Sequence, residues 1–149
     1  PRPVRLLVVG DGVLRPRIEA TARELGLVVD IRGFLNQTQL GVAYSAADVF
    51  VLASLREPWG LVVNEAMHFS LPVLVSSQVG SGLDLVVDGA NGSIFPAGAD
   101  HQLAAHLQEL AGSPELAERR GAHSREIIER WNVAATVDGI VRATEAACG

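Results

Sequence analysis

Lysine is missing from this chain: all 12 of its basic residues are arginine. Against 17 Asp and Glu they leave a formal net charge of −5. That balance excludes nucleic acid as a main partner, because gripping a phosphate backbone takes a clustered excess of cations. Cysteine is nearly missing too. The single Cys148 cannot form an internal disulfide, which fits a reducing compartment. No apolar run approaches the ~20 residues that span a bilayer, and no basic-then-apolar leader marks secretion. His68, His101, His106 and His123 have no metal-ligand spacing with one another or with Cys148, so no metal site is expected, and no Ser-His-Asp set can be assembled. The sequence has no repeat and no low-complexity linker. With 48% hydrophobic residues it is too apolar for disorder, and 149 residues suffice for one domain with a real core. The chain opens on Pro1, as a piece of a longer protein would.

What is present is a rhythm. Short runs rich in Val, Leu and Ile recur about every twenty residues, at 4–9, 27–31, 49–53, 73–75 and 93–95. They do not alternate with polar residues, which is how strands buried on both faces of a parallel sheet read. Between them lie segments of helical period, such as Leu14, Ile18, Ala22 and Leu25, or Leu40, Ala43 and Ala47. After Phe95 the pattern turns all-helical. Asp100 is expected to cap one helix, Ser113 with Pro114 the next, and Asn132 the last. The fold class is α/β, a Rossmann-like or flavodoxin-like parallel sheet of about five strands flanked by helices, with extra C-terminal helices. Ligands in such folds sit at the carboxyl ends of the strands. The loops 10–12, 33–37, 54–60 and 76–82 each follow a strand and should share one rim.

The most informative stretch lies on that rim: Glu57-Pro58-Trp59-Gly60-Leu61-Val62-Val63-Asn64-Glu65. Pro58 and Gly60 stop the preceding strand, and a helix is expected from Leu61 to Met67. Glu57 then lies in the loop at the helix start and Glu65 just inside the helix, about 6 Å of rise beyond Leu61. The unpaired N–H groups of the first turn would face anything anionic between the two acids. Two acids that accept from hydroxyls and a helix end that binds phosphate suit a nucleotide-sugar.

This pattern resembles the E-x7-E motif of retaining family-4 glycosyltransferases with the GT-B fold. Other segments resemble the same family in order and spacing: Val8-Val9-Gly10-Asp11-Gly12, Ile31-Arg32-Gly33-Phe34, the stretch from Tyr44 to Ser54, Leu71-Pro72-Val73-Leu74-Val75, and Asp88-Gly89-Ala90-Asn91-Gly92. Some positions depart from the family pattern. Ser70 stands where a Gly is common, and Gly80-Ser81-Gly82-Leu83-Asp84 displaces one Gly of the usual loop and carries Asp for Glu.

The resemblance implies that residues 1–149 form the donor-binding domain, truncated at the N-terminus, of an enzyme moving a hexose from a nucleotide-diphosphate sugar to a glycan or lipid acceptor. Glu57 would be the catalytic carboxylate, close to the sugar hydroxyls and the positive charge that develops at the anomeric carbon. Trp59, Gly60, Leu61 and Val62, with Gly10 and Gly12, would line the donor sugar and diphosphate. Glu65 would hold the ribose, and Leu35 and Gln37 the base; for Gln37 a plain helix start competes with that role. No cofactor is implied. The acceptor would be held by a missing N-terminal domain, in the cytoplasm or at the inner membrane surface. The family's domain begins with one more strand, an Arg/Lys loop and a helix. Removing that strand from the order 3-2-1-4-5-6 leaves 2-1-3-4-5, the flavodoxin-like order, with apolar surface that invites self-association. The competing reading is a stand-alone nucleotide-binding or regulatory module without catalysis. A dinucleotide site is disfavoured because Gly10-Asp11-Gly12 runs on as Val13-Leu14-Arg15 and lacks the third glycine. A receiver-like signalling domain would need more acids than Asp11 at the end of the first strand.

Overall fold

Each Val/Leu/Ile run becomes a strand, and every strand pairing is parallel. The computed structural model describes residues 4–148. These divide into two compact units, one up to Ala47 and one from Asp48 onward.

The first unit is a β-α-β-α segment: β1 (Arg5–Val8), α1 (Arg15–Glu24), β2 (Val28–Ile31) and α2 (Gln37–Ser45). β1 and β2 pair from Arg5↔Val28 to Val8↔Ile31. Asn36 caps α2 by a capping box: its side chain accepts from the Gln39 amide at 3.0 Å and the Gln39 side chain accepts from its own. Arg15, at the start of α1, lies between Glu19 and Asp11, whose side chains hold its guanidinium above the usual range.

The second unit carries β3 (Phe50–Leu52), α3 (Leu61–His68), β4 (Val73–Ser76), α4 (Gly82–Leu85), β5 (Gly92–Phe95), α5 (Asp100–Gly112), α6 (Pro114–Ile128) and α7 (Val133–Cys148). Its sheet has the order β3-β4-β5. β4 is central, and all four of its residues are buried. Leu74 joins Phe95 and Leu110 in a cluster covered by Leu103, Leu107 and Leu116 of α5 and α6. Each fully buried Leu or Phe of this kind contributes roughly 1.5–3 kcal/mol. Val63, Ala66 and Met67 of α3 are wholly buried. α6 is tied down along its length. Arg120 grips Glu109 with both terminal nitrogens and donates to the Gly89 carbonyl. Ser124 donates to the Asn91 carbonyl and Arg125 to that of His68. A Cβ on Gly121 would overlap the Ser70 carbonyl oxygen, so helix and turn pack backbone to backbone.

Several sequence expectations change here. Of the expected strand order, the segment 2-1 is present in the first unit and 3-4-5 in the second. Burial on both faces holds for β4 but not for β1, three of whose four residues are exposed. A non-alternating apolar run reads alike in both cases, because period reports shape and not cover. Ser113 and Asn132 cap α6 and α7 as expected, accepting from Leu116 at 3.3 Å and Ala135 at 3.0 Å. Asp100 does not cap α5. The N-cap is Ala99, and Asp100 is the first helical residue, where its charge still complements the helix dipole.

Candidate functional site

Glu57 sits in the loop between β3 and α3, and its backbone is fixed on both sides. Its amide donates to the Gln78 carbonyl at 3.0 Å, and its carbonyl accepts from the Gly80 amide at 3.0 Å. The next rung joins the Ser81 amide to the Trp59 carbonyl at 2.9 Å. Loops 54–60 and 76–82, predicted to share a rim, are therefore zipped together by backbone bonds around a Glu57↔Val79 bridge. The fit depends on glycine: a Cβ on Gly80 would overlap the Pro58 carbonyl oxygen. Nearby, Ser76 Oγ donates to the Ser54 carbonyl and pins the end of β4 to the same loop.

The half-buried Glu57 side chain turns toward α3, where Oε1 accepts from the Trp59 amide at 3.3 Å. Gly60 is the N-cap of α3, with φ +89° and no side-chain cap. Sequence reasoning assigned Gly60 to close ligand approach, but the structure adds a stricter demand. A Cβ there would lie 3.1 Å from both Leu52 Cδ2 and Val79 Cγ1, in a left-handed conformation that suits only glycine. The carbonyl of Gly60 accepts from Val63 at 2.9 Å, while the amides of Leu61 and Val62 have no partner among the described residues. Both residues are exposed. Thus a carboxylate stands beside a helix N-terminus whose first two amides are unbonded among the described residues. Such an end attracts anionic oxygens through its orphan N–H groups and its dipole. Glu65, an exposed residue of α3, lies on the second turn of the same helix.

Trp59 points its indole along α3, Nε1 donating to Asn64 Oδ1 at 3.1 Å. Its ring meets Trp131, with centroids 6.1 Å apart and planes at 47°. Sequence reasoning gave Trp131 no role, since no fixed spacing links a residue beyond α6 to the acid loop.

Gly10, Gly12, Leu35 and Gln37 belong to the first unit. Gly10, at φ +115°, bridges to Gly33 and donates to its carbonyl at 2.7 Å. Loops 10–12 and 33–37 are thereby brought together as well. Gly10 and Gly12 border an open hollow of about 260 Å³ with Asp11, Leu14 and Ile18 among its walls. Leu35 is half-buried, and Gln37 is the first residue of α2.

The model of the family described as glycosyl transferases group 1 matches residues 2–127. The chain belongs to this family. A relative from Segniliparus rotundus, a D-inositol 3-phosphate glycosyltransferase, is 33% identical over 150 residues, covering 97% of this chain and 33% of its own length. A GDP-mannose-dependent alpha-mannosyltransferase of Mycobacterium tuberculosis is 32% identical over 126 residues, 82% of this chain and 32% of its own length. Sucrose-phosphate synthase of Thermosynechococcus elongatus, a solved structure, has a TM-score of 0.78 at 30% identity over 99% of this chain and 39% of its own. The glycosyltransferase domain therefore spans about a third of the length of the curated relatives it matches. Its α/β architecture is shared with GT-B glycosyltransferases.

Proposed function

We propose that this glycosyltransferase domain binds the nucleotide-diphosphate sugar donor of a retaining, family-4 enzyme that transfers a hexose to a hydroxyl of a glycan or lipid. One observation carries the reading: the 78–81 turn holds the Glu57 backbone, and the Glu57 carboxylate accepts from the Trp59 amide beside an α3 that no side chain caps. The Leu61 and Val62 amides receive the diphosphate, and the α3 dipole offsets the charge that grows on it as the glycosidic bond breaks. Glu57 lies where a fixed anion stabilises the oxocarbenium-like sugar. Attack on the face the phosphate is leaving retains the configuration, and the departing phosphate takes the acceptor proton. Glu65 accepts from the ribose hydroxyls. Membership of a family whose relatives include a GDP-mannose-dependent enzyme supports the donor class.

The test is calorimetric titration of UDP-, GDP- and ADP-sugars into the wild-type protein and the Glu65→Ala variant. One nucleotide class binds the wild type. A hydrogen bond to a charged group is worth about 1.5–3 kcal/mol, so Glu65→Ala weakens that binding at least roughly tenfold. Failure of all three donors, or equal affinity in the variant, overturns the reading.

A further inference from the structure

The chain has only two tryptophans, and they face each other beside the acid loop. Three handles of Trp59 are already taken: its amide by Glu57 Oε1, its carbonyl by Ser81 and its indole nitrogen by Asn64. The ring contact with Trp131 is the fourth. Trp131 is itself well founded. Its amide donates to the Ile128 carbonyl at 3.0 Å, closing the turn after α6, and Ile128 is 1% exposed. On its other side Asn132 ties that turn to both helices, donating to the Glu129 carbonyl and capping α7. α6 is anchored by Arg125 to the carbonyl of His68, at the far end of α3. Trp131 thus carries a fixed point from the C-terminal end of α3 back to its N-terminal end.

We propose that Trp131 is a positioning residue for the candidate site: through Trp59 it holds the Glu57 carboxylate and the start of α3 in one arrangement. The chain of contacts is short. The Trp131 ring restrains the Trp59 ring, and the Trp59 amide is the partner of the Glu57 carboxylate. Without that brace the indole swings on its remaining tether to Asn64, the peptide between Pro58 and Trp59 loosens, and the carboxylate loses its orienting donor. A tilted aromatic pair at this separation is attractive beyond the area it buries. Trp131 is 47% exposed, so the ring serves the loop more than the core. The inference rests on the donor-binding reading, and its test separates the two.

Trp131→Ala removes the brace, and Trp131→Phe keeps an aromatic face. Amide hydrogen exchange without ligand is read at Gly80 and Ser81, whose donors hold the carbonyls of Glu57 and Trp59. Exchange there rises about three- to tenfold in Trp131→Ala, the equilibrium equivalent of a lost aromatic pair. It returns toward wild type in Trp131→Phe, while the β4 amides stay unchanged in both. Titration with the nucleotide-sugar that binds the wild type then shows a loss of similar size in Trp131→Ala and recovery in Trp131→Phe. Unchanged exchange at Gly80 and Ser81, or an undiminished donor affinity in Trp131→Ala, overturns the positioning role. If no nucleotide-sugar binds even the wild type, the donor reading fails, and the exchange measurement still decides whether Trp131 holds the loop.

Discussion

Gly80 shows how much one missing methyl group decides. Its amide holds the Glu57 carbonyl, and the space a Cβ would need is filled by the Pro58 carbonyl oxygen. Gly80→Ala is therefore expected to push the acid loop off the 78–81 turn. Overpacking of this kind costs about 1–3 kcal/mol, measurable by urea denaturation. Because the displaced loop carries Glu57, the variant loses donor affinity even at temperatures where it stays folded. A Gly80→Ala protein as stable as wild type contradicts the packing argument. The positions of Glu57 and Glu65 were legible in the sequence, because a glycine stop and the helical period place them. The role of Gly80 was legible only as a departure from a familiar loop. Its function is a backbone contact with Pro58, far away in sequence, and no local pattern records such a contact.

Among the elements, α6 is the one whose role in the fold was least visible. Its start was plain, since Ser113-Pro114 is a strong N-terminal signal and the serine does cap. Its hold on the fold was not. Arg120, its side chain 7% exposed, is satisfied by the half-exposed Glu109 of α5 and the Gly89 carbonyl. Removing Glu109 leaves a buried guanidinium with one acceptor. Charged hydrogen bonds contribute about 1.5–3 kcal/mol, and stranding one buried partner is the costly direction. Glu109→Ala is expected to lose about 2 kcal/mol by that reckoning, whereas Glu118→Ala, an exposed change on α6, stays within about 0.5 kcal/mol. Equal melting temperatures for the two variants would refute the assignment. An arginine in a helix reads as a solvated face, and only the neighbouring helix shows otherwise.

Across the whole molecule, cover is unequal. In the first unit only Ala22 and Gly33 are buried among the described residues, whereas β4 and most of β5 in the second unit are fully covered. Local stability follows buried apolar contact, so amides of β1 and β2 are expected to exchange at least about a hundredfold faster than those of β4. Native-state hydrogen exchange by mass spectrometry reads this directly, and uniform protection across both units would refute it. The sequence by itself determined the alternation of strand and helix, the parallel class and the placing of Glu57 and Glu65 at the two ends of a short segment. Those follow from periods and stop signals, which act within a few residues. Only the tertiary structure decided which strands are covered, that the 78–81 turn fastens the acid loop, and that two distant indoles meet beside it. These depend on atoms brought close by chain reversal, and hydrophobic period carries no information about which surface will arrive on the other side.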